Sequence, residues 1–158
     1  MSKVAVLGSG QVGQVLADGF LKHGHQVMRG SRDVAKLAEW KAGAGANAHT
    51  GTFEEAAAWG DAVVLAVKGV PAESIVGSIA SSLKGKTVLD ATNPIAEAPP
   101  QNGVLKFFTD LNQSLMEKLQ AKAPEANFVK VFSCVGNAFM VNPKLPGGPP
   151  TMFICGNS

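Results

Sequence analysis

The run Val4-Ala5-Val6-Leu7 passes without a break into Gly8-Ser9-Gly10-Gln11-Val12-Gly13. The apolar residues suit a short buried strand over residues 3–7. After the glycines, Val12, Val15, Leu16, Phe20 and Leu21 recur at helical spacing and predict a helix over 11–22, which Gly24 then closes. A strand, a G-x-G-x-x-G turn and a helix in that order restrict the fold more than any other feature of the chain. Gly8 permits the tight turn, Gly10 lets a pyrophosphate approach the backbone, and Gly13 lets the helix pack close to the strand. The free N–H groups and positive dipole end of the helix then bind phosphate. Outside that context the motif would be a plain glycine turn. Within it, residues 8–13 predict a dinucleotide site.

The rest of the chain repeats the alternation. Residues 26–28 predict a second strand. Asp33 can cap a helix to about residue 41, with Val34, Leu37 and Trp40 on one side. A weak third strand covers 47–50, and Thr52 opens a helix with Glu55 at the capping-box position. Residues 61–67 are nearly all apolar, as in a strand buried on both faces. There follow a helix from Pro71 to about residue 83, a strand over 87–91 and a proline-rich loop over 92–102. A helix over 110–122, a strand over 128–132, the loop Gly147-Gly148-Pro149-Pro150 and a strand at Met152-Phe153-Ile154 complete the pattern. Alternation with helix-length spacers predicts an α/β, Rossmann-type, doubly wound parallel sheet in three layers, α/β/α. The length of 158 residues fits a single domain, 1–158. The chain stops just after an apparent strand, where such a sheet usually adds another helix, so a shortened C-terminal part is expected.

The end of the second strand selects the dinucleotide. An NAD site usually places Asp or Glu there to hold the ribose hydroxyls. This chain has Arg29-Gly30-Ser31-Arg32-Asp33, with no acid at the strand end itself. Ser31 can donate to a 2′-phosphate, Arg32 can pair with it in forked geometry, and Lys36 lies four residues further on the same side. Together they predict NADP. The competing readings are Asp33 holding the ribose, or Arg32 and Lys36 as a solvated face. Ligands of open α/β sheets lie outside the carboxyl ends of the strands. That rule adds Val67, Lys68, Ala91, Thr92, Asn93 and Pro94 to the cofactor's side. Asn93 suits a ribose or carboxamide partner as well as a turn before Pro94. Lys68 suits a phosphate or an acidic substrate, against the plainer role of a solvated lysine.

Several classes are disfavoured. A net charge of +2 with no basic run gives no support for nucleic acid. Hydrophobic residues at 46% against 16% charged mark a globular chain rather than a disordered one. No apolar stretch reaches membrane-span length, and Met1-Ser2-Lys3 leaves no room for a signal peptide before the first strand, so a reducing, cytoplasmic setting is expected. Cys134 and Cys155 form no metal or disulfide pattern and are expected to be buried small apolar residues, with a redox thiol at Cys134 as the alternative. His23 and His25 lack a third ligand, so no metal is predicted. Gly85-Lys86-Thr87 resembles the end of a triphosphate loop, but Ala80 stands where the first glycine belongs and the segment precedes a strand. Trp40 and Trp59 are expected in core or edge packing.

Four pieces together resemble a family. They are Val6-Leu7-Gly8-Ser9-Gly10-Gln11-Val12-Gly13, Gly30-Ser31-Arg32-Asp33, Asp90-Ala91-Thr92-Asn93-Pro94, and Val129-Lys130-Val131-Phe132 followed by Gly136. The last continues into Asn142-Pro143 and Thr151-Met152-Phe153-Ile154. In this order the chain resembles the NADPH-dependent reductases of the deazaflavin coenzyme F-420 and the dinucleotide-binding oxidoreductases around them. The resemblance implies that Ser9, Gly10, Gln11, Val12, Ser31, Arg32 and Lys36 hold NADP. It also implies hydride transfer between the nicotinamide and a deazaflavin or flavin-like acceptor, a step with no obligatory acid–base residue. The family commonly has Asn-Thr after the residue matching Phe132 and Ala after that matching Gly136. Here Ser133-Cys134 and Asn137 stand there, and the resemblance implies that these residues, with Gly136, line the nicotinamide end. The family continues beyond this length with helices that help build the substrate site and a dimer, which leaves a homodimer open. The alternatives are an NADPH-binding module without turnover, and an NADPH domain like those of ferric reductases, which share the strand-end motifs and would reduce a ferric chelate.

Overall fold

The computed structural model describes residues 1–148 and 150–157. Pro149, within the expected 147–150 loop, lies outside them. Chain order is β1 (Lys3–Leu7), α1 (Gln11–Lys22), β2 (Gln26–Gly30), a 3-10 turn (Val34–Leu37) leading into α2 (Ala38–Gly43), β3 (Ala48–Gly51) and α3 (Phe53–Trp59). Then come β4 (Ala62–Leu65), α4 (Gly69–Ser78), α5 (Ala80–Leu83), β5 (Thr87–Asp90), α6 (Leu115–Lys122), β6 (Asn127–Lys130), a 3-10 turn (Asn137–Phe139) and β7 (Cys155–Gly156).

The strands form one sheet in the order β3-β2-β1-β4-β5-β6-β7. The first six pair in parallel, and β7 pairs antiparallel to β6 through Val129↔Gly156 and Lys130↔Cys155. Alternate strand residues feed opposite faces, as a period of two requires. Ala5, Leu7, Val63, Leu65, Val88 and Phe128 pack with α3, α4, α5 and α6. Val4, Val6, Val27, Ala48 and Val64 pack with Leu16 and Ala17 of α1 and Trp40 of α2. The result is the expected three-layer, doubly wound Rossmann arrangement. Each fully buried Leu or Phe of these layers contributes about 2 kcal/mol of burial.

Four local expectations are corrected. The strand after 147–150 is Cys155–Gly156, not Met152 to Ile154, and it is antiparallel. Among its described residues the return from β6 forms a 3-10 turn and no α-helix, so it lacks the crossover helix that usually brings a parallel strand back. The helix expected from Asp110 begins at Leu115. Asp110 instead accepts from the amides of Asn112 and Gln113, and Ser114 and Glu117 form a reciprocal capping box that starts α6. The helix expected over 71–83 starts at Gly69 and breaks at Ile79, so Pro71 sits in the first turn, where its missing N–H costs nothing. Cys134 and Cys155 are exposed rather than buried, because both lie past β6 on the sheet's edge and its return segment.

Candidate functional site

The strand order turns back between β1 and β4, with β2 and β3 on one side and β5 and β6 on the other. Carboxyl ends diverge at such a point and leave a crevice. A cleft of about 690 Å³ opens there, within the range of small-molecule and cofactor sites.

The glycine loop forms its floor. Gly8 has φ +143, and a Cβ on it would lie 2.3 Å from the carbonyl oxygen of Ala66. The loop therefore passes the residue just after β4 at backbone contact distance, which no side chain permits. A Cβ on Gly13 would lie 2.6 Å from the Gly8 carbonyl, so α1 is seated directly on the turn. Above Gly10 the space is open, and Gly10 caps α1 with no side-chain acceptor. The first-turn N–H groups of α1 have no intrahelical partner by geometry. An anion at this position would complete them.

At the carboxyl end of β2, Ser31 is buried, and its Oγ accepts from the Asp33 amide at 3.2 Å. The hydroxyl proton stays free to donate. Asp33 turns its Oδ1 back to the Ala35 amide, 3.2 Å away, and caps the following 3-10 turn. Arg32 and Lys36 are exposed and line the same cleft. Asp33, the acid that follows the strand end in sequence, thus serves as a cap, and the cleft is lined there by the Ser31 hydroxyl and two cations as well as by Asp33 and Glu97.

Twelve of the expected cofactor residues share this cleft: Gly8, Ser9, Gly10, Gln11, Val12, Ser31, Arg32, Lys36, Val67, Lys68, Ala91 and Asn93. Gly13 lies beneath it as the helix seat. Thr92, Pro94, Gly136 and Asn137 do not line it. Thr92 is buried, and its hydroxyl and amide both donate to Asp90 Oδ1, at 2.7 and 2.9 Å. Gly136 and Asn137 belong to the segment whose Val141 packs on Gly19 of α1, away from the cleft. Lys68 is the N-cap of α4 and reaches the rim.

Sequence reasoning missed an apolar wall made by Phe53, Pro71, Ile75 and Ile95. Phe53 and Ile75 follow from the periodicity of α3 and α4, but that pattern marks them as core. Ile95 belongs to a flap in which Ile95 bridges Phe107 and the Phe108 amide donates to the Pro94 carbonyl at 2.9 Å. Among the described residues, no group of three or more His, Cys, Asp or Glu is placed to hold a metal, and no helix is long and apolar enough to cross a membrane.

A family model described as NADP oxidoreductase, coenzyme F-420-dependent, matches residues 3–94. The chain belongs to this family. As a member it is an NADP-dependent oxidoreductase, and the match takes in both the glycine loop and the strand end at Ser31 and Arg32. No curated protein matches the chain significantly. Among solved structures, a provisionally assigned F-420-dependent NADP reductase from Arthrobacter sp. FB24 is 30% identical with a TM-score of 0.90. The likeness covers 100% of this chain and 75% of that one. A hypothetical protein from Sinorhizobium meliloti is 27% identical over the same shares, with a TM-score of 0.82. A pyrroline carboxylate reductase from Plasmodium falciparum, solved with NADP bound, shares the fold at 19% identity and a TM-score of 0.56, over 82% of this chain and 41% of that one.

Proposed function

We propose that this oxidoreductase binds NADPH in the cleft at the β1–β4 crevice and passes a hydride to a deazaflavin such as coenzyme F-420 or to a flavin-like acceptor. The observation that carries the cofactor's placement is the convergence of Ser31, Arg32 and Lys36 on a cleft whose floor is an uncapped helix N-terminus. The residues present fit the group. Gly10 leaves a cradle open above the loop, Ser31 keeps a free hydroxyl proton, and Asp33 Oδ1 accepts from the Ala35 amide as a cap. Arg32 and Lys36 would pair with the 2′-phosphate, and the loop over 8–13 with the pyrophosphate. Phe53 and Ile75 offer a flat apolar wall for an aromatic ring. Val67, Lys68, Ala91 and Asn93 line the rest of the cleft and would meet the more distal part of the cofactor. Thr92 and Pro94 would support that turn, and Gly136 and Asn137 would act from outside the cleft. Residues 1–158 would form one NADP-binding domain.

When bound, the cofactor would supply a hydride, which the acceptor takes up together with a proton from solvent. The chain's part is to orient the dinucleotide and to hold its charge, since a hydride step between two carriers depends on geometry and electrostatics. The Arthrobacter relative's assignment supports a deazaflavin acceptor. Turnover of NADPH with coenzyme F-420, FMN and a ferric chelate tests this. Fastest oxidation with the deazaflavin is expected. Oxidation with the ferric chelate alone would favour a ferric-reductase-like role, and none with any acceptor a binding module. A small-molecule acceptor is in line with the size of the cleft.

A further inference from the structure

Arg29 is 1% exposed, and it is a charged residue in the middle of a core. It pairs in register with Val6 and alternates with Val27, so the strand period turns its side chain to the α1 face. There Nη2 donates to the Gly8 carbonyl at 3.0 Å and to the Gly10 carbonyl at 3.3 Å. The guanidinium carbon lies 5.0 Å from the centre of the Trp40 ring, whose Nε1 donates to Asp18 at 2.7 Å. Among the described residues Arg29 forms no ion pair, and its Nε is buried with no partner.

Such a group is expensive for the unliganded fold. A buried cation without a carboxylate partner normally costs more than it returns. Burial accordingly lowers the Arg29 pKa from its ordinary value, with Asp18 opposing at a distance. A purely structural demand at this position would be met by an apolar residue like Val27. The position itself suggests what offsets the cost, because the two carbonyls Arg29 holds belong to the loop that caps α1.

We propose that Arg29 is a positioning residue for the dinucleotide's pyrophosphate, tying the Gly8 and Gly10 carbonyls inward so that the loop's N–H groups face the cleft, and adding its charge to the helix N-terminus from below. This rests on the cofactor placement proposed above. The phosphate and the guanidinium would face each other across one layer of backbone, in a medium that screens poorly. Arg32 and Lys36 choose between dinucleotides at the ribose, whereas Arg29 strengthens both alike.

The test titrates Arg29→Met and Arg29→Lys with NADPH, NADH and adenosine 2′-monophosphate, and follows thermal unfolding of each unliganded chain. Arg29→Met is expected to weaken NADPH and NADH by the same factor, about tenfold, with their ratio unchanged. Adenosine 2′-monophosphate, which has no pyrophosphate, is expected to bind as to the parent chain. The Tm of the unliganded variant should be unchanged or higher, and Arg29→Lys should recover part of the affinity by restoring the charge. Unchanged dinucleotide binding in Arg29→Met would overturn the proposal, and so would an affinity loss shared by adenosine 2′-monophosphate and accompanied by a lower Tm. A parent chain that binds neither dinucleotide would overturn the cofactor placement itself, and this inference with it.

Discussion

Lys130 and Asp90 meet across adjacent parallel strands, with Lys130 Nζ 3.1 Å from Asp90 Oδ2 in the register pair that ends β5 and β6. Asp90 is fully buried, and its other oxygen accepts from both the amide and the hydroxyl of Thr92. Lys130 also donates to the Thr92 carbonyl. The pair therefore fixes the turn that carries Ala91 and Asn93 into the cleft.

Lys130→Met would leave a buried carboxylate without its cation. A loss of about 3 kcal/mol is expected in urea unfolding. Adding Asp90→Asn should restore part of that loss, because the uncompensated charge is then gone. Two additive losses would show that the pair does not act as one unit.

Gly13→Ala would put a Cβ 2.6 Å from the Gly8 carbonyl, a backbone atom that cannot swing aside. The helix must lift off the turn. A cost of about 1–3 kcal/mol and weaker NADPH binding are expected together. Full stability and affinity in this variant would mean that α1 is not seated on the loop.

The acid side of the stability profile has a local contributor. The Ser114 amide and hydroxyl hold the Glu117 carboxyl below its ordinary value of 4.5. A carboxylate depressed in the folded state stabilises the fold above its unfolded pKa, and that contribution fades as pH falls through the folded value. The fold should thus lose Tm on acidification below about pH 4.5, and Glu117→Gln should show a shallower fall. Identical acid profiles for the two chains would contradict the capping box at α6.

Both thiols are exposed, Cys134 with its Sγ 3.9 Å from Met152 Sδ. A thiol reagent applied to the native chain should modify two cysteines without denaturant. Protection of either until unfolding would restore the buried role that composition suggested.

What could be read from sequence follows from range. The glycine loop, the cap at Asp33 and the capping box at Thr52 and Glu55 are written within a few residues of one another, and all three form. The buried strand near Val63 shows in its uninterrupted apolar run. Arg29 does not show, because a lone arginine near a strand end resembles a solvated one until β2 pairs with β1 and α1 closes over it. Asp90 and Lys130 are 40 residues apart and become partners only through the parallel register of β5 and β6. The antiparallel β7 depends on the path of a long return segment that carries no periodicity. Family resemblance alone assigns Gly136 and Asn137 to the cofactor, and their position outside the cleft depends on the same segment.

The central claim is that the end of β2 holds a 2′-phosphate. A calorimetric titration of the parent chain and of Arg32→Ala with NADPH and NADH tests it most directly. NADPH should bind well ahead of NADH in the parent, and Arg32→Ala should remove roughly tenfold or more of that preference while leaving NADH nearly unchanged. Equal affinity of the parent chain for the two dinucleotides would contradict it.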